Sequence, residues 1–122
     1  MVRLAVSEKR ARARRAQQAI LVVARPGVPP APLTLNRPRT LIGRDRDTCD
    51  VVLEDEGVSR QHASVTKEAT GFYVLHDLGS RNGITVNGQK VTRRTLISGD
   101  SFALGGTTIT FQSVAVEGEG KK

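Results

Sequence analysis

The sequence predicts an all-β sandwich. Two observations carry this: from Ala19 onward, short β-type apolar runs are punctuated by Gly, Pro, Asn and Asp, and nothing within that stretch repeats at helical spacing. The chain has 122 residues and is 38% hydrophobic and 25% charged, the size and balance of one soluble globular domain. With four aromatic residues (Phe72, Tyr73, Phe102 and Phe111) and no Trp, its core has to be mainly aliphatic.

Ala19–Arg25 is the first strand, and Pro26, Gly27, Pro29, Pro30 and Pro32 then read as a loop over Arg25–Pro32. Short strands follow at Leu33–Asn36, Thr40–Gly43 and Asp50–Leu53. Ala63–Glu68 and Phe72–Leu78 form an antiparallel pair turning at Thr70 and Gly71. Ile84–Val86, Gln89–Val91, Phe102–Leu104 and Thr107–Ser113 complete about ten strands. The Asn82-Gly83 and Asn87-Gly88 pairs are both turn signals. They lie too close together for two independent hairpins, so at least one of them shapes a loop. Three segments result: a basic leader or linker at 1–18, a domain at 19–113 and a disordered tail at 114–122.

The net charge of +7 is unevenly distributed. Residues 1–18 hold Arg3, Lys9, Arg10, Arg12, Arg14 and Arg15 against Glu8, for +5; the other residues carry 13 bases and 11 acids, for +2. Ser7–Ala19 has good helix propensity with Ser7 as a cap, but its only apolar residues are alanines, so it has no stripe to bury. A solvated leader is one reading; contact of Arg3–Arg15 with nucleic acid or a membrane surface is the other. The lone Cys49 excludes an internal disulfide, and the longest apolar run, Ala19–Ala24, is too short to cross a membrane. A soluble, cytoplasmic chain is expected.

The residues give little support to catalysis. His62, His76 and Cys49 are too few and too scattered for a metal site. Ser59, His62 and Asp77 lack a nucleophile-elbow context, and the phosphate-loop, dinucleotide and EF-hand patterns do not occur. No enzymatic activity and no cofactor are expected. Polar residues instead concentrate in loops: Gly43-Arg44, Ser59-Arg60-Gln61-His62 and Asp77-Leu78-Gly79-Ser80-Arg81-Asn82-Gly83. A sandwich gathers its loops at its ends, where arginines, a serine hydroxyl and an asparagine amide can form an anion pocket.

At these residues the sequence resembles the forkhead-associated (FHA) domain family. The resemblance rests on Leu41-Ile42-Gly43-Arg44, Val58-Ser59-Arg60-Gln61-His62-Ala63, Asp77–Gly83 and Val86-Asn87-Gly88. Leu96-Ile97-Ser98-Gly99-Asp100 and Leu104-Gly105 extend it. It covers about Ala19–Ser113 and implies a β-sandwich of about eleven strands whose apical loops bind phosphothreonine in partner proteins.

Carried over by this resemblance, Arg44 would contact phosphate or peptide backbone, Ser59 would donate its hydroxyl to phosphate, and Arg60 would add a second cation. Arg81 would offer its backbone N–H and could add its side chain, and Asn82 would hold the peptide backbone beside the phosphothreonine. Gly43, His62, Ser80, Gly83 and Asn87 would support the binding loops, with His62 bracing them from beneath. Ile84 stands where the family usually has Thr, which implies a missing loop-bracing hydroxyl and modestly lower rigidity. Gly57, two before Ser59, offers no side chain to read flanking residues, which leaves that task to Arg60, Arg81 or the Gln89–Arg94 segment.

The expected function is therefore a phosphothreonine-dependent protein-binding module that recognises partners phosphorylated by a Ser/Thr kinase; the alternative is that the loops serve without phosphate.

 In that alternative the chain is an FHA-like scaffold that binds its partner independently of phosphate. A further alternative is anionic-surface or nucleic-acid binding through the leader. The leading expectation implies a partner in trans, because residues 1–33 and 114–122 contain no threonine. It also implies an upstream Ser/Thr protein kinase and a monomeric domain.

Overall fold

A computed structural model describes residues 17–115. It contains eleven strands: β1 Gln17–Arg25, β2 Val28–Thr34, β3 Arg39–Gly43, β4 Val51–Val52, β5 Ala63–Lys67, β6 Tyr73–Asp77, β7 Ile84–Val86, β8 Gln89–Val91, β9 Arg93–Leu96, β10 Ser101–Leu104 and β11 Thr107–Ala115. They form one sheet in the order β2-β1-β11-β10-β7-β8 and a second in the order β4-β3-β5-β6-β9. All neighbouring pairs are antiparallel except β3 with β4. None of the described residues forms a helix long and apolar enough to cross a membrane.

Period-two alternation places the core between the sheets. Leu21, Ile84, Val86, Phe102, Leu104, Ile109 and Phe111 face it from one side; Ile42, Ala63, Val65, Tyr73, Leu75 and Leu96 face it from the other. The filling is mainly aliphatic, with the Tyr73 and Phe111 ring centroids 5.5 Å apart. Ile84 is buried to 1% exposure, so the side chain at this position packs into the core.

The structure corrects the strand assignment in two places. Val28–Thr34, expected to be mostly loop, is a strand pairing with β1, and Leu33 belongs to it. Its prolines are tolerated because β2 lies at the sheet edge, where an absent N–H leaves no ladder partner wanting. Arg93–Leu96, which has no apolar alternation, becomes a strand by pairing with β6. Leu96 enters the core, while the Arg94 guanidinium reaches Asp100.

The boundaries also differ. Gln17 pairs with Ala115 and Gln18 with Val114, so both terminal strands extend beyond 19–113. Residues 17–19 are strand rather than the end of a basic helix. The rest of the leader, including Arg3–Arg15, and the tail from residue 116 lie outside the described residues.

The pairing register brings the connections after β3, β4, β6 and β10 to one end of the sandwich. Asn87-Gly88, with φ of 50° and 89°, makes the two-residue turn between β7 and β8 at the other end. Asn82-Gly83 instead shapes the loop before β7.

Candidate functional site

Three loops meet around Ser59. The β3–β4 connection supplies Arg44, the β4–β5 connection supplies Ser59 and Arg60, and the β6–β7 connection supplies Arg81 and Asn82. Arg44, Arg60, Arg81 and Asn82 are exposed, and Ser59 is half-buried.

The first two loops are joined through their backbones. Arg44 N–H donates to the Ser59 carbonyl at 3.0 Å, and Asp45 N–H donates to the Arg60 carbonyl at 3.1 Å. Arg44 also donates through Nε to the Val58 carbonyl at 2.9 Å, which fixes its guanidinium beside the Ser59 segment. Gly43 is required by this approach: a Cβ there would lie 2.1 Å from the Arg60 carbonyl oxygen. The same carbonyl accepts from the Cys49 thiol at 3.1 Å. Burial pushes the Cys49 thiol pKa up, which keeps that donor protonated.

His62 ties the second loop to the third. Its ring is fully buried, and Nδ1 accepts the Ser59 N–H at 3.0 Å. The ring proton therefore resides on Nε2, which donates to the Gly83 carbonyl at 2.8 Å. One neutral imidazole thus holds both Ser59 and Gly83 from beneath.

The third loop is closed by Ser80. Its hydroxyl donates to Asp77 Oδ1 and accepts from Gly83 N–H at 2.8 Å. Gly83 adopts φ of 80°, in the left-handed region that glycine enters without strain. Two contacts then cross between loops: Arg81 N–H donates to Ser59 Oγ at 3.0 Å, and Asn82 Nδ2 donates to the Gly57 carbonyl at 2.9 Å.

Sequence reasoning missed two acidic braces. Asp55 accepts from Gly57 N–H at 2.8 Å and from Gly106 N–H at 2.7 Å, joining the β4–β5 and β10–β11 connections. Those two donors, Gly106 before Gly57, hold its carboxyl below the ordinary value. Asp45 accepts from Asp47 N–H and the Thr48 hydroxyl, and these with the Arg60 charge lower its pKa too. The Asp55-Glu56-Gly57 run is a signal for such a side-chain-to-backbone turn, but the partner at Gly106 is 51 positions away.

The structure therefore gathers Arg44, Ser59, Arg60, Arg81 and Asn82 together, over Gly43, His62, Ser80 and Gly83. It does not bring Asn87 to them. That residue was expected to support the binding loops. It lies at the opposite end, bonding Asp100 and Ser101 through its side chain. Strand β7 leads away from the Asn82-Gly83 loop to this turn, which separates the two. The Arg81 N–H also differs from expectation, because it is engaged by Ser59 rather than turned outward.

Such a rim, with three guanidiniums and a hydroxyl on rigid loops, is chemically suited to a small multivalent anion. Comparison with known proteins agrees with the geometry. The family model described as FHA domain matches residues 40–105. The glycogen accumulation regulator GarA of Mycolicibacterium smegmatis is 38% identical over 93 residues, covering 76% of this chain and 58% of that protein. The chain spans 16% to 66% of the lengths of eight such curated relatives.

Solved structures that share the fold include the following two. An FHA domain from Chlamydia trachomatis is 31% identical with a TM-score of 0.72, covering 78% of this chain and 96% of that one. Mycobacterium tuberculosis EmbR, in complex with a low affinity phosphopeptide, is 32% identical with a TM-score of 0.71. The likeness covers 81% of this chain and 25% of EmbR.

Proposed function

Because the chain belongs to the FHA domain family, we propose that it is a phosphothreonine-dependent protein-binding module that takes its partner in trans. One observation carries this reading. Ser59 Oγ accepts the Arg81 N–H, its own proton has no acceptor among the described residues, and it stands among the exposed Arg44, Arg60 and Arg81. A phosphate oxygen can accept that proton, and its charge pairs with the guanidiniums beside it.

Each residue then has a task. Ser59 donates its hydroxyl to a phosphate oxygen, while Arg44 and Arg60 neutralise the phosphate charge. Asn82, held by its bond to the Gly57 carbonyl, retains an amide oxygen and a second N–H for the peptide backbone. His62, Ser80, Gly43 and Gly83 keep these groups in place before the ligand arrives, so little ordering cost remains on binding. Nothing in this arrangement performs chemistry on the phosphate; the module binds a product of a Ser/Thr kinase. A monomeric domain working in the cytoplasm, where such kinases act, completes the reading.

Fluorescence polarisation with matched phosphothreonine, phosphoserine and unphosphorylated peptides from a degenerate library tests it. The phosphothreonine peptides bind and the unphosphorylated ones do not. The missing methyl costs phosphoserine about tenfold or less. Arg44→Ala removes charge-assisted bonds worth about 1.5–3 kcal/mol, on the order of a ten- to hundredfold loss. Equal binding across the peptide set, or an unaffected Arg44→Ala, overturns the reading.

A further inference from the structure

The three arginines on the loops around Ser59 are not equally engaged. The Asp45 carboxylate offsets the charge of Arg60, and a phosphothreonine brings about −1.5 to −2 charges. Two of the three are tied to the phosphate-facing loops. Arg44 is fixed through Nε to the Val58 carbonyl. Arg60 follows Ser59 directly, its carbonyl is held by Asp45 N–H and the Cys49 thiol, and its charge already acts on Asp45.

Arg81 differs. It approaches from the opposite loop, next to Asn82, and its backbone is pinned by the 3.0 Å bond from its N–H to Ser59 Oγ. Its side chain is exposed and makes no hydrogen bond or ion pair among the described residues. A guanidinium anchored this close to the phosphate position can sweep about two residues of an extended peptide. The facing wall offers nothing comparable. Gly57 has no side chain, and a Cβ there would lie 3.3 Å from both Gly105 Cα and Asp55 Oδ1.

Neighbouring acids do not consume this charge. Glu54 is paired with Arg46, and Asp55 accepts two backbone N–H groups. Glu56 is exposed on the facing loop and disfavours a second carboxylate there, which confines an acidic preference to the Arg81 side.

We propose that Arg81 reads an acidic side chain within three residues of the phosphothreonine, so that the module selects phosphothreonine in acidic sequence contexts. This rests on the phosphothreonine reading above and names its substrate class. The contact is exposed and so modest in size, and it is weakened by salt.

The test is fluorescence polarisation on an alanine-context phosphothreonine peptide, with Asp and then Lys placed singly at each of the three positions on either side. Wild type, Arg81→Ala, Arg81→Glu and Arg60→Ala are compared by the ratio of Asp-peptide to Ala-peptide affinity. At one or more positions the wild type prefers Asp about two- to fivefold and disfavours Lys. That ratio collapses to unity in Arg81→Ala, inverts in Arg81→Glu and persists in Arg60→Ala. Wild-type binding that is indifferent to Asp, Ala and Lys, or an Asp preference that survives Arg81→Ala, overturns the inference and leaves the phosphothreonine reading intact. Failure of every phosphopeptide to bind wild type overturns both.

Discussion

Replacing His62 by alanine removes the one side chain that supports two binding loops together. The imidazole is fully buried, accepts the Ser59 N–H at 3.0 Å and donates to the Gly83 carbonyl at 2.8 Å. Alanine leaves both backbone groups without their partner, at about 1–3 kcal/mol each. Loss of the ring's packing adds to this, and a water entering the polar space offsets part of it. The expected destabilisation is about 3–5 kcal/mol, a large share of the stability of a domain this size. With a urea slope of about 1–3 kcal/mol/M, the unfolding midpoint falls by about 2 M.

Two companion variants separate hydrogen bonding from volume. His62→Gln keeps a donor and an acceptor and recovers part of the loss, whereas His62→Phe fills space with neither and does not. Urea unfolding followed by far-UV circular dichroism measures all three, and peptide titration on the folded protein follows the site. A midpoint shift under about 0.5 M for His62→Ala, with binding unchanged, refutes the argument that this ring holds the loops together.

Three further outcomes follow from the same geometry. Gly43→Ala drives a Cβ to 2.1 Å from the Arg60 carbonyl oxygen, so the backbone has to move; chemical denaturation is expected to show a loss above about 3 kcal/mol, with peptide binding lost as well. Gly83→Ala is milder, about 1–2 kcal/mol for the left-handed conformation, because the group met at 2.5 Å is the flexible end of Lys90. Asp55, Asp45 and Asp100 have lowered carboxyl pKa values; for Asp100, burial opposes the shift while Ile97 N–H, Asn87 and Arg94 produce it. A carboxyl depressed in the folded state stabilises above its unfolded value, and that contribution disappears as pH falls through the folded one. Stability is therefore expected to decline as pH drops below about 3.9, and the deficit of Asp55→Asn relative to wild type to shrink over the same range. A deficit that is constant from neutral pH to strong acid contradicts this account.

How much was legible in the sequence depended on whether the signal was local. Strands such as Thr107–Ser113 and Ala63–Glu68 announce themselves by alternation, and the Asn87-Gly88 turn by its dipeptide. β2 was hidden because prolines read as breakers wherever edge and interior positions cannot be told apart. β9 was hidden because Arg93, Arg94 and Thr95 carry no apolar period; only pairing with β6 makes them a strand. Among the site residues, the loop motifs identified Arg44, Ser59, Arg60, Arg81 and Asn82 by resemblance. The contacts that join them span 22 and 25 positions, from Arg81 to Ser59 and from Asn82 to Gly57.

By itself, then, the sequence determined the fold class, the turn positions and which loops hold polar groups, because periodicity and backbone preference act between near neighbours. The tertiary structure alone decided which of those groups face one another. It directed the Arg81 N–H onto Ser59 and left the guanidinium without a hydrogen bond or ion pair among the described residues, set the His62 tautomer, tied Asp55 to Gly106 and sent Asn87 to the far end. Each of these depends on strand register across two sheets, which is set by the packing of the whole core rather than by any short stretch of residues.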